Sequence, residues 1–139
     1  DAEELPAVAQ TMMRMHEEGR AADFFVRDAH NLMASQALLL IGTKIKVLGL
    51  NCGLCGFETC DKKSEYPAVP CAYNLNDLGI AMGSAAARAA DMRLDSRVMY
   101  SVGAAAKEMK LLGDDVAVVF GLPLSAGPKS PYFDRKAVK

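Results

Sequence analysis

At 139 residues the chain has the length of one domain and can bury roughly two thirds of its unfolded surface. Its 16 basic and 17 acidic side chains nearly balance, and no long run of one sign occurs, so the basic footprint of a nucleic-acid or anionic-membrane binder is missing. Tryptophan is absent and aromatics are few beside abundant Ala, Met and Gly, which favours closely packed helices over a β-sandwich. The longest weakly polar stretch, 78–90, is interrupted by Arg88 and too short to span a bilayer. A soluble, cytoplasmic protein is expected.

The first residue is Asp rather than Met and helical sequence begins at once, which suggests that residues upstream of Asp1 belong to the protein. Residues 2–18 carry Leu5, Val8, Ala9, Met12, Met13 and Met15 at helical spacing, with Gly19 as terminator. His16 in the last turn suits the negative end of the helix dipole. A second helix over 22–34 turns Phe24, Phe25, Ala29, Leu32 and Met33 inward, and His30 has no nucleophile or carboxylate arrangement to serve. The short apolar run 37–41, bounded by Gly42, predicts a buried strand. Lys44 and Lys46 alternate outward from Ile45 and Val47, and the chain then enters a loop over 51–73.

Residues 61–70 form a polar excursion whose Lys62, Lys63, Glu65 and Tyr66 are expected as a solvated rim, with a positive edge that could guide an acidic electron-transfer partner. A long helix over 71–92 follows. Its segment 79–90, rich in Gly and Ala, has an almost side-chain-free face that predicts a close neighbour: a helix, or alternatively a flat cofactor or a dimer partner. A further helix over 96–112 is capped by Asp95 or Ser96 and ended by Gly113. A second buried strand is expected at 116–120, a turn at 121–123, and a Pro/Gly-containing tail over 125–139 that is disordered or wrapped on a partner. No P-loop, dinucleotide fingerprint, zinc-protease helix or Ser/His/Asp constellation is present, so hydrolase and kinase readings have no residues to rest on.

All four cysteines fall in one stretch, as C-x2-C-x4-C-x10-C at Cys52, Cys55, Cys60 and Cys71. Thiols gathered this closely generally hold a metal or an inorganic cluster. Gly53 and Gly56 can take positive φ and bring N–H groups toward the sulfurs, while Cys71 arrives after Pro70 at a helix start, where unpaired N–H groups favour a thiolate. Four ligands on one excursion with small residues between them suit a cubane [4Fe-4S] cluster. Structural zinc is the second reading, since only Cys52 and Cys55 form a knuckle. Disulfides are the third and require an oxidising compartment. The plant-type and bacterial ferredoxin spacings are not matched.

The strings CGLCGFETC (52–60) and PCAYNLNDLGIAMGS (70–84), continued by ADMRLDSRVMY (90–100), GLPLS (121–125) and FDR (133–135), resemble an uncharacterised prokaryotic family of ferredoxin-domain-containing proteins. The C-G-x-C-G-x-x-x-C part is also similar to the cluster segments of corrinoid iron-sulfur proteins and of a membrane electron-transport subunit. That likeness implies [4Fe-4S] ligation by Cys52, Cys55, Cys60 and Cys71. A fainter resemblance, from DLGIAMG (77–83) through the Ala-rich helix to Gly-Leu-Pro and a basic tail, is to FMN-dependent nitroreductases. It implies an α+β fold of helices packed on a small sheet, a homodimer, and flavin contacts at Gly121, Arg135 and Lys136, with a further Arg-containing segment N-terminal to this chain.

The expectation is therefore a single α+β domain over 1–139 with its cysteine loop between a strand and a helix. Its function would be iron-sulfur electron transfer to a redox partner protein or a flavin. The alternatives are an FMN-dependent oxidoreductase of nitroreductase-like type and a zinc-stapled, non-enzymatic interaction module.

Overall fold

The computed structural model describes residues 4–133. In chain order the elements are α1 (Glu4–Glu17), α2 (Phe24–Met33), β1 (Ala37–Thr43), α3 (Cys60–Ser64), α4 (Ala72–Asp91), β2 (Asp95–Ser96), α5 (Tyr100–Glu108) and β3 (Val118–Ser125). The fold is α+β, with a three-stranded antiparallel sheet in the order β1-β3-β2.

The two faces of the sheet follow from the alternation of side chains along a strand. From β1, Leu38 and Leu40 reach a core built by Val8, Met12 and Met15 of α1, Phe25, Ala29 and Leu32 of α2, and Val102 and Ala105 of α5. From β3, Val118, Phe120, Leu122 and Leu124 face the opposite way and join Ile41 of β1 against Leu78 and Met82 of α4. Helices α1, α2 and α5 thus cover one face of the sheet and α4 covers the other. Helix α5 lies very close to β3 because residue 103 is glycine: a Cβ there would overlap the Val119 carbonyl. A buried polar pin ties α5 to α2, where Ser101 Oγ donates to Asp28 Oδ2 at 2.5 Å.

Strand β1 carries the expected apolar run but lies at the sheet edge, so it is only partly buried and Leu39 is 40% exposed. The second strand starts and ends later than expected. Gly121-Leu-Pro123 does not turn the chain; it continues the central strand β3 to Ser125. Proline is tolerated there because of where its missing N–H points. Asp95 pairs with Ser125, Ser96 with Leu124, and an isolated bridge joins Met99 to Gly121 in the same register, yet on this side of β3 no rung falls at Pro123, which pairs only with Leu38 of β1. Gly121 exchanges both backbone hydrogen bonds with Met99 (2.8 and 3.1 Å), so two residues on, Pro123 also faces the β2 side and cannot supply the next rung. The same interruption holds β2 to two residues and delays the start of α5 from the expected Ser96 to Tyr100.

Two further expectations are corrected. Among the described residues no helix lies against Gly79 and Gly83 of α4: nothing stands within 4 Å of where a Cβ at either would be. Of the expected tail, residues 126–133 fold back on their own chain, since Tyr132 is 2% exposed within the α1/α2/α5 core, with its hydroxyl 2.9 Å from Ser35 Oγ; residues 134–139 lie outside the described residues. No helix among the described residues is long and apolar enough to cross a membrane.

Candidate metal centre

Between Thr43 and Cys60 the chain has no regular structure, and single hydrogen bonds fix its course. Asn74 in the first turn of α4 accepts the backbone N–H of Lys46 through Oδ1 at 2.8 Å, which tethers the outgoing strand to that helix. Asn51 then takes the left-handed conformation, φ 48°, which asparagine tolerates better than other residues bearing a Cβ. There it clamps the third cysteine twice: its N–H points at Cys60 Sγ at 3.3 Å, and its Oδ1 accepts the Cys60 N–H at 2.7 Å.

The turn around the first two cysteines is left-handed at Gly53 and Gly56, φ 71° and 86°. The conformation is the expected one, but the Gly56 N–H goes to the Gly53 carbonyl at 2.9 Å rather than to a sulfur. The N–H···S contact is made instead by Asn51.

Cys60 opens the short helix α3, which the sequence patterning did not reveal. Thr59 caps it by accepting the Lys62 N–H on Oγ1 at 3.2 Å, and Ser64 Oγ closes the turn by donating to the Cys60 carbonyl at 2.9 Å. Cys71 sits at the N-cap of α4 with extended backbone, and its carbonyl accepts the Asn74 N–H at 3.1 Å. The placement at a helix start matches the sequence expectation.

All four cysteines line one cavity, together with Val47, Leu48, Leu50, Phe57, Lys63 and Tyr73 among others. They are graded inward: Cys52 is exposed, Cys55 and Cys60 half-buried and Cys71 buried, and all are free thiols. No group of three or more His, Cys, Asp or Glu side chains among the described residues is gathered tightly enough to hold a single ion; the thiols share a cavity rather than converge on a point. The donor set fits an iron-sulfur cluster, with four thiols in mostly apolar surroundings and a backbone N–H directed at one sulfur. Of the lining residues Leu48 and Leu50 are exposed; so are Leu54, between Cys52 and Cys55 in the chain and 66% exposed, and Tyr66, whose ring packs on that of the lining residue Phe57.

Lys63 departs from expectation. Lys62 is on the solvated rim, where it pairs with Glu65 at 3.4 Å, but Lys63 is only 2% exposed and lines the cysteine cavity. It lies three residues after Cys60 on α3, so the two share a helix face. Of the residues carried over for flavin, Gly121 is buried in β3 under α5, where a Cβ would overlap Val102 and approach Leu38. Close packing accounts for glycine there. Arg135 and Lys136 lie outside the described residues.

A small α+β chain that presents four thiols to one cavity defines a protein with a candidate cysteine site. Residues 68–135 match the family model described as an uncharacterized protein containing a ferredoxin domain, a span that includes Cys71. An uncharacterized protein of Archaeoglobus fulgidus is 46% identical over 147 aligned positions, covering 100% of this chain and 78% of that relative. The chain belongs to this family of uncharacterized proteins containing a ferredoxin domain. No solved structure matches it.

Proposed function

We propose that the chain is an electron-transfer protein that holds a [4Fe-4S] cluster through Cys52, Cys55, Cys60 and Cys71. The observation that carries this reading is the shared cavity: four free thiols from a loop, a short helix and a helix cap border the same mostly apolar space. Ferredoxin-domain membership supports it. Such a cluster accepts and releases one electron at a time.

The chain's own contribution is to orient and shield. Asn51 aims its N–H at Cys60 Sγ, a contact that strengthens as negative charge gathers on sulfur and so favours the reduced form. Buried Cys71 anchors the inner side, and exposed Cys52 leaves the outer side open to a partner. The exposed Leu48, Leu50, Leu54 and Tyr66, on the lining or beside it, support brief docking of a redox partner protein on an apolar rim rather than on charge.

Single substitution of Cys52, Cys55 or Cys60 by alanine is expected to abolish the cluster or convert it to a form with less iron. Iron content and the EPR spectrum of the reduced protein read the change. Full iron and an unaltered spectrum in Cys52→Ala would overturn the ligand assignment.

A further inference from the structure

We infer that Lys63 is the resident counter-charge of the cysteine cavity, a positioning residue that raises the reduction potential of whatever anionic cluster the thiols hold. The inference rests on the cluster reading above and adds a residue outside the four ligands.

A lysine is almost never fully buried unless its ammonium is paired, because removing the charge from water is unfavourable. Lys63 as a residue is 2% exposed and its ammonium makes no hydrogen bond or ion pair with any described residue, so the little surface it keeps includes the Nζ tip, while its stem is enclosed by the cavity wall. Its neighbours on α3 behave ordinarily: Asp61 and Lys62 are exposed, and the nearby Glu65 pairs with Lys62. No Asp or Glu lines the cavity that Lys63 borders. Besides the weakly acidic phenol of Tyr73, the groups there able to carry negative charge are the four thiols.

A cubane bound by four thiolates has a net negative charge that grows by one electron on reduction. A cation held beside it in mostly apolar surroundings stabilises the reduced form more than the oxidised one, because the Coulomb term scales with the charge it faces and is weakly screened away from water. The i,i+3 spacing of Cys60 and Lys63 fixes this arrangement in the helix itself, so the charge arrives with the ligand. Lys63 thus borders the same cavity as the four thiols, and its charge acts on them through space rather than through a hydrogen bond.

The test compares wild type with Lys63→Met, which keeps the length and loses the charge, and Lys63→Arg, which keeps the charge. Each is purified without oxygen, assayed for iron and sulfide, and titrated against redox mediators. In Lys63→Met the ratio of reduced to oxidised cluster at a fixed potential is expected to fall at least tenfold, equivalent to 59 mV for a one-electron couple. Lys63→Arg is expected to stay within threefold of wild type. An iron-replete Lys63→Met within threefold of wild type overturns the inference while leaving the cluster reading intact. If Lys63→Met loses the cluster yet keeps the wild-type circular dichroism, retention in Lys63→Arg supports the charge role, and loss in both assigns Lys63 to packing and overturns it. A wild type without iron and sulfide overturns the cluster reading and this inference together.

Discussion

Asn51 offers the sharpest test of how the loop is held. Its left-handed backbone and the 2.7 Å bond from the Cys60 N–H to its Oδ1 are separable by substitution. Asn51→Ala loses both: about 1 kcal/mol for the hydrogen bond and about 1 kcal/mol because alanine lacks the polar side chain that lets asparagine tolerate φ > 0. The sum of about 2 kcal/mol corresponds to roughly a 30-fold increase in the opening equilibrium of the loop. Asn51→Gly accepts the backbone conformation freely, loses only the bond, and should open about fivefold more often. Asn51→Asp keeps the acceptor and tolerates the conformation, so it should remain near wild type. Hydrogen exchange of a peptide covering 47–64, read by mass spectrometry, reports this opening whether or not metal is bound. In the loaded protein, iron release to a chelator should follow the same order. Equal exchange in Asn51→Ala and wild type would refute the argument, and so would Asn51→Gly opening as readily as Asn51→Ala.

Two further predictions concern the scaffold. Ser101→Ala removes the donor to buried Asp28 Oδ2 and leaves Arg27, which binds Oδ1 at 2.7 Å, as the remaining side-chain partner. A loss of about 2 kcal/mol is expected, seen as a Tm lowered by roughly 6 °C, and an unchanged Tm would remove this pin from the account. Glu108 lies between Arg14 at 2.9 Å and Arg20 at 2.7 Å, and hydrogen bonding to Arg20 above all holds its carboxyl below the usual carboxylate range. A depressed folded pKa contributes stability that is present above the unfolded pKa and lost as pH falls through the folded one. The cluster is solvent-exposed, so Glu108→Gln should cost at most about 1 kcal/mol at neutral pH. The difference from wild type should shrink in high salt and vanish in acid, and a difference that persists in acid would contradict the assignment.

The legible parts of the molecule were those encoded by spacing within one element. Leu5, Val8, Met12 and Met15 mark α1, and the long helix expected over 71–92 is α4, Ala72–Asp91. The four cysteines stood out because they fall in one short stretch, and Pro70 announced the helix that Cys71 caps. What was missed depends on partners distant in sequence. Gly121-Leu-Pro123 has turn chemistry, and only the gap opposite Pro123 in the β2 ladder makes it a central strand. Helix α3 is five residues long, too short to show a period. Lys63 carries a charge and so reads as surface; its spacing from Cys60 was the one available hint that it belongs to the cavity. The small-residue face of α4 promised a close neighbour, but small side chains state only that an approach is possible, and no described residue makes it at Gly79 or Gly83.

The central claim is that the four thiols hold iron and sulfide. Its most direct test is the anaerobically purified protein, whose absorption spectrum, iron and acid-labile sulfide are measured on one sample. The account predicts a broad brown absorption bleached by dithionite, with about four iron and about four sulfide per chain. A colourless protein containing about one zinc would contradict it and make the cysteine site structural.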